Sequence, residues 1–183
     1  KPCAVGSGLS TKVNANIGTS TDESQIADEI QKLKIAIKYG ADALMDLSVG
    51  GNLAKIRREV LKHSTVPVGT VPIYEVAVRA KEKNKNFLKF NAQDILELLK
   101  AQAEQGVDFF TIHSGVTQNS LKVLGRSRRL MGIVSRGGAI IARWIKYQKQ
   151  ENPFYAHFDQ ILKIAKQYDV TLSLGDGLRP GSI

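Results

Sequence analysis

The sequence builds the same joint three times. "YGADALMDLS" (39–48), "QGVDFFTIHS" (105–114) and "QYDVTLSLGD" (167–176) each pass from a helix end through an aspartate into a short apolar strand. Strands that follow helices in this way, apolar at consecutive rather than alternate positions, imply a parallel sheet covered by helices. The stretches between the joints have helical spacing. Ser20-Thr21-Asp22-Glu23 reads as a capping box ahead of Ile26, Ile30, Leu33 and Ile37, and Gly40 follows as a stop. Asn52 is placed to cap a second helix with Leu53, Ile56 and Val60 on one face. Ile95, Leu98, Leu99 and Gln102 mark a third that ends at Gly106, and Ile141 with Trp144 mark a fourth. Phe158, Ile161, Leu162 and Ala165 mark a last one.

Three further segments read as strands: "TKVNANIG", "VPVGTVPIY" and "MGIVSRGG". Pro67 and Pro72 make the second irregular or exposed at its ends. The total is about six parallel strands with intervening helices. No linker or change of composition divides residues 1–183, so they read as one domain. The basic stretch "RAKEKNKNFLK" reads as a solvated loop or helix end.

Composition narrows the setting. A chain of 183 residues with 43% hydrophobic content can bury one sizeable core. Its net charge of +9 suits a nucleic-acid binder, an enzyme for phosphorylated substrates, or a piece of a larger protein whose acidic part lies elsewhere. The single cysteine, Cys3, excludes an intrachain disulfide framework and any multi-cysteine metal site, and points to a reducing, cytoplasmic setting. No apolar run approaches the ~18 residues that span a membrane, and no secretory leader is expected. The chain opens on Lys1 without an initiator Met, which reads as a piece of something longer.

Polar residues gather where each strand should end: Asn14 and Asn16, Asp46, Tyr74, His113 and Ser114, Ser135 and Arg136, Asp176 and Arg179. A parallel α/β barrel builds its site from all such ends, whereas a doubly wound sheet concentrates its ligand at one switch point. The expectation is therefore an incomplete (β/α)8 barrel. Each residue also has a plainer reading. Asn16 could only make a turn, His113 could be a satisfied core histidine, and Tyr74 after a proline-rich strand reads as packing. "SRGG" before a helix offers backbone N–H groups and a guanidinium, an arrangement suited to anions. "GDGLRPG" sets Asp176 and Arg179 three residues apart, either for a ligand or as a structural pair. The P-loop, GxGxxG, CxxC and HExxH motifs do not occur.

Longer motifs reach further. "KVNANIGTS", "GADALMDLS", "VPVGTVPIYE", "AEQGVDFFTIHSGV", "GIVSRGGAIIARW", "ENPFYAHFD" and "LSLGDGLRPGSI" occur in the order of the phosphomethylpyrimidine synthase family of thiamine biosynthesis, which the chain resembles from about Lys12 to Ile183. The resemblance implies a (β/α)8 barrel and a radical S-adenosylmethionine lyase. It also implies a [4Fe-4S] cluster, a divalent metal (zinc or iron), a homodimer, and no nucleic-acid or membrane partner. The reaction implied converts 5-aminoimidazole ribotide to 4-amino-5-hydroxymethyl-2-methylpyrimidine phosphate. The family's substrate contacts fall on Asn16, Met45, Tyr74, His113, Ser135, Arg136, Gly137, Asp176, Gly177, Leu178 and Arg179. For Tyr74 this displaces the packing reading, and Met45 on an apolar strand otherwise reads as core. The family's Glu-Gly-Pro-Gly-His motif, its last barrel strands and its CX2CX4C segment have no counterpart here, and its two metal-binding histidines belong to that missing part. His63, His113 and His157 do not replace them, and Cys3 matches no cluster cysteine. The resemblance thus implies the N-terminal and central part of one barrel domain, inactive by itself. A non-catalytic ribotide- or phosphate-binding module is the alternative. A nucleic-acid binder, suggested by charge alone, would show steep salt dependence.

Overall fold

The computed structural model describes residues 3–182, so Ile183, the last residue of the final motif, lies outside the described residues. Strand and helix alternate as β1 (Asn14–Ile17), α1 (Ile26–Lys38), β2 (Ala43–Asp46), α2 (Leu53–His63), β3 (Val68–Thr70), α3 (Pro72–Asn84) and α4 (Ala92–Glu104). They continue as β4 (Phe109–Ile112), α5 (Gln118–Leu124), α6 (Arg136–Gln148), α7 (Pro153–Ala156), α8 (Phe158–Tyr168) and β5 (Thr171–Leu174). The five strands form one sheet in the order β1-β2-β3-β4-β5, every pair parallel.

Most helix signals hold. Asn52 accepts a hydrogen bond from the Lys55 N–H, and Leu53, Ile56 and Val60 are all buried. Gly40 and Gly106 follow their helices with φ of +93° and +92°, where a β-carbon would be strained. Ser20 does not cap α1. Its hydroxyl accepts from Asp22 and Glu23 in a turn, and the helix starts only at Ile26. In α8, Ile161 and Ala165 are buried but Leu162 faces solvent.

Two strand expectations fail for physical reasons. "MGIVSRGG" forms no strand, because the side of β4 away from β3 is already taken by β5, with Phe109 paired to Thr171. The chain before α6 is exposed instead, Leu130 nearly completely so. In "VPVGTVPIY" only Val68–Thr70 are strand. Pro72, whose ring presets φ for a helix start, opens α3 and carries Tyr74 into its first turn. The sheet is also open rather than closed into a barrel, since β1 and β5 each have one neighbour. It is not doubly wound either, because its order never reverses.

Side chains alternate across the sheet. One face buries Ile17, Leu44, Asp46, Val68, Thr70, Phe110 and Ile112. The other carries Asn14, Asn16, Met45, Phe109, Thr111, Thr171 and Ser173, each half-buried or exposed. The apolar core lies on the first face in two clusters. A smaller one joins Ile17, Leu44 and Val68 to Leu33 of α1 and to Ile56 and Val60 of α2. The larger one surrounds Phe110, Ile112, Leu98, Leu99 and Trp144, whose ring stacks on Phe90 at 5.5 Å and whose Nε1 donates to the Phe90 carbonyl.

Between the clusters lies a buried polar knot. The Glu75 carboxylate of α3 accepts from Arg57 of α2 (2.6 Å), Gln102 of α4 (2.8 Å) and Arg79 (2.6 Å). Thr70 of β3 donates to Gln102, and Arg57 donates its Nε to Gln105. Burial alone would raise the Glu75 carboxyl, but Arg57, Arg79 and Gln102 together hold it below its ordinary value. Removing one partner of a buried pair strands the other charge. Arg57→Ala is therefore expected to cost about 3 kcal/mol, read as a lower urea midpoint, and a loss under about 0.5 kcal/mol would show that the knot is dispensable.

Candidate functional site

The carboxyl ends of the strands bring most of the candidate residues together in three groups. The first is a cleft lined by Asn16 at the end of β1, Gly18, Lys32, Val49, Tyr74 and Arg136. Tyr74 is half-buried, and the Arg136 guanidinium sits over its ring at 5.1 Å from the centroid, a cation–π contact that orients the arginine. Burial raises the Tyr74 hydroxyl above its ordinary value despite the opposing charges of Arg136 and Arg179, so Tyr74 keeps its proton and can donate.

The second group centres on His113, just past β4 and 4% exposed. Its Nε2 lies 3.2 Å from the Ser135 hydroxyl, which also caps α6 by accepting from the Gly138 N–H at 3.1 Å. Glycine is required here by close approach. A β-carbon on Gly137 would lie 2.3 Å from His113 Cε1, and one on Gly138 would lie 1.8 Å from the Gly177 carbonyl oxygen. The first turn of α6 thus packs directly on the histidine ring and on the loop after β5. With Arg136 as its first residue, α6 places its N-terminus and a guanidinium at the same rim.

The third group is the loop after β5. Asp176 and Arg179 form an ion pair at 2.6 Å with both side chains largely in water, which adds little to stability. Their charges are nevertheless felt at His113. Leu178 packs on the larger core cluster, and its carbonyl accepts from Arg129.

Met45 stands on the open face of the sheet, paired in register with Asn16, with its sulfur 3.9 Å from the Thr111 hydroxyl. It is half-buried and packs at the margin of the larger core cluster. Asp46, by contrast, turns into the helix layer, where it accepts from the Ser48 N–H and burial raises its carboxyl. It does not belong to the rim.

Two contributors escaped the sequence reading. Asn152 is completely buried and donates through Nδ2 to the carbonyls of His113 and Val116 at 2.9 Å, clamping the loop that carries the histidine. Its Oδ1 accepts from Phe154, so an Asn-Pro pair that signals only a turn also fixes the site. Lys32 lines the first cleft while paired with the buried Glu29, whose other oxygen accepts from Gly18. A lysine on the polar stripe of a helix gives no sign of that.

The fold is thus a singly wound parallel α/β sheet whose strand ends meet a glycine-rich, arginine-bearing helix start. The comparisons narrow it further. Residues 1–183 match the model of the Radical SAM ThiC family, and the chain belongs to that family. It is 57% identical over its whole length to the phosphomethylpyrimidine synthase of Thermodesulfovibrio yellowstonii, 53% to that of Moorella thermoacetica and 51% to that of Methanococcus maripaludis. It spans only 42–43% of those relatives. Among the described residues no helix is long and apolar enough to cross a membrane. No group of three or more His, Cys, Asp or Glu among them could hold a metal ion.

Burial, reinforced by Arg179 and opposed by Asp176, holds the His113 imidazole below its ordinary value of 6.5. The folded protein therefore favours the neutral ring. The stability it contributes is complete above the ordinary value and is lost as pH falls toward the lowered one. The urea midpoint is expected to decline as pH falls below 6.5, and His113→Gln should flatten that decline. An equal slope in the variant would mean that His113 is not the group responsible.

Proposed function

We propose that the chain forms the ribotide-binding part of a phosphomethylpyrimidine synthase that rearranges 5-aminoimidazole ribotide to 4-amino-5-hydroxymethyl-2-methylpyrimidine phosphate. The observation that carries this reading is Arg136, held over Tyr74 at the head of α6 beside Gly137 and the buried His113. Arg136 and the first N–H groups of α6 suit the ribotide phosphate, because a guanidinium pairs two oxygens at once. Asp176 and Arg179 suit polar groups of the sugar or imidazole. Asn16 and Tyr74 offer hydrogen bonds on one flank, Met45 an apolar surface, and Gly177 and Leu178 form the loop that seats the pair.

The same reading includes the central part of one (β/α)8 barrel domain. The unreversed strand order and the uncovered face bearing Asn16, Met45 and Thr111 support it, since that face corresponds to a barrel lumen. A cytoplasmic homodimer belongs to it as well. The family implies S-adenosylmethionine, a [4Fe-4S] cluster and a divalent metal, which together would supply radical chemistry. The residues described do not fit the cluster or the metal, with one cysteine in the chain and no clustered ligands among them. No step through either is assigned to these residues, whose part is to bind and orient.

Calorimetric titration of 5-aminoimidazole ribotide tests the phosphate role. Arg136→Ala is expected to weaken binding roughly 10- to 100-fold, the range for losing a charge-assisted pair. Unchanged affinity would remove Arg136 from the phosphate site.

A further inference from the structure

We propose that Lys32 is a ligand-binding residue, which from α1 supplies a second cation, in the cleft it shares with Arg136, to a phosphate group seated there. This deepens the ribotide reading and rests on it for the ligand.

Lys32 is held in a seat built from the end of β1. Glu29, one turn earlier on α1, is 2% exposed. One of its carboxylate oxygens accepts from Lys32 Nζ at 2.5 Å, and the other accepts from the Gly18 N–H at 2.7 Å. A buried carboxylate needs such partners to stay charged. The wall behind the seat is fixed as well. The buried Thr19 donates its N–H to the Ser48 hydroxyl at 3.0 Å and its own hydroxyl to the Gly50 carbonyl at 2.7 Å. A β-carbon on Gly18 would lie 2.7 Å from the Leu47 carbonyl carbon, so β1 meets the loop after β2 backbone to backbone. The ammonium is therefore set in place by groups that cannot shift far.

A purely structural counter-ion has no need to reach a cleft, yet the Lys32 side chain is 49% exposed and lines one. An ammonium carries three N–H donors, and Glu29 takes one of them. The cleft encloses about 480 Å3, within the range of small-molecule sites. Among the described residues that line it, Lys32 and Arg136 carry charge and no carboxylate does, while Asn16 and Tyr74 add neutral hydrogen-bonding groups. A phosphate dianion matches that set. The guanidinium pairs with two of its oxygens, and the lysine, a compact point charge, serves the third. Lys32 thereby favours a phosphorylated ligand over the same ligand without its phosphate.

The test is calorimetric titration of the full-length protein with 5-aminoimidazole ribotide and with its dephosphorylated riboside. Lys32→Gln is expected to weaken ribotide binding about tenfold, the scale of one lost charge-assisted hydrogen bond, and to leave riboside binding unchanged. The same variant strands the Glu29 charge and should lower the urea midpoint. The double variant Glu29→Gln/Lys32→Gln removes both charges, so it should recover the midpoint without recovering ribotide affinity. Unchanged ribotide affinity in Lys32→Gln, an equal loss for the riboside, or affinity that returns with the midpoint in the double variant overturns the proposal and leaves Lys32 a counter-ion of Glu29. Titration with inorganic phosphate reads the cation pair without the ribotide. Phosphate binding that Lys32→Gln weakens, in a parent protein that binds no ribotide, overturns the ribotide reading alone, and binding of neither overturns both.

Discussion

The Glu75 carboxylate is the contact on which the positions of the other parts depend. Buried between α2, α3 and α4, it can stay charged only because Arg57, Arg79 and Gln102 converge on it. Those bonds fix three helices against β3 through Thr70. They also fix the first turn of α3, where Tyr74 immediately precedes Glu75. Tyr74 in turn carries Arg136, so the rim inherits its geometry from a polar knot on the other side of the sheet. Apolar packing alone would hold the helices down, but it would not set their register so specifically.

The rim itself is assembled from opposites. Exposed, mobile-length side chains such as Arg179 and Asp176 lie beside a histidine that is almost completely enclosed. Enclosure, helped by the charge of Arg179 and opposed by that of Asp176, holds the His113 imidazole below its ordinary value.

The helices and three of the joints were legible because their signals are local. Asn52 caps its own helix with its side chain, Gly40 and Gly106 act through their own backbone, and Leu98, Leu99 and Trp144 follow the helical period. The sheet was less legible. "MGIVSRGG" has strand-like residues, but strand formation needs a free neighbour, and β5 had taken it. Pro72 was visible as a breaker of a strand, yet its consequence was to start a helix and relocate Tyr74. Asp46 and Met45 adjoin in sequence and point to opposite faces. Which face is covered depends on helices far along the chain, so the residues themselves could not reveal that the aspartate is structural and the methionine lies on the open side. Asn152 reaches His113 across 39 residues while its Asn-Pro pair marks only a turn, and Lys32 on the polar stripe of α1 gives no sign of the cleft.

The contact between Gly138 and Gly177 joins backbone to backbone with no side chain between them. Side chains can absorb small displacements by changing rotamer, but two main chains in van der Waals contact cannot. The head of α6 and the loop after β5 therefore behave as one mechanical part. Neither segment has room to shift past the other, so the spacing between them is set by the main chain alone.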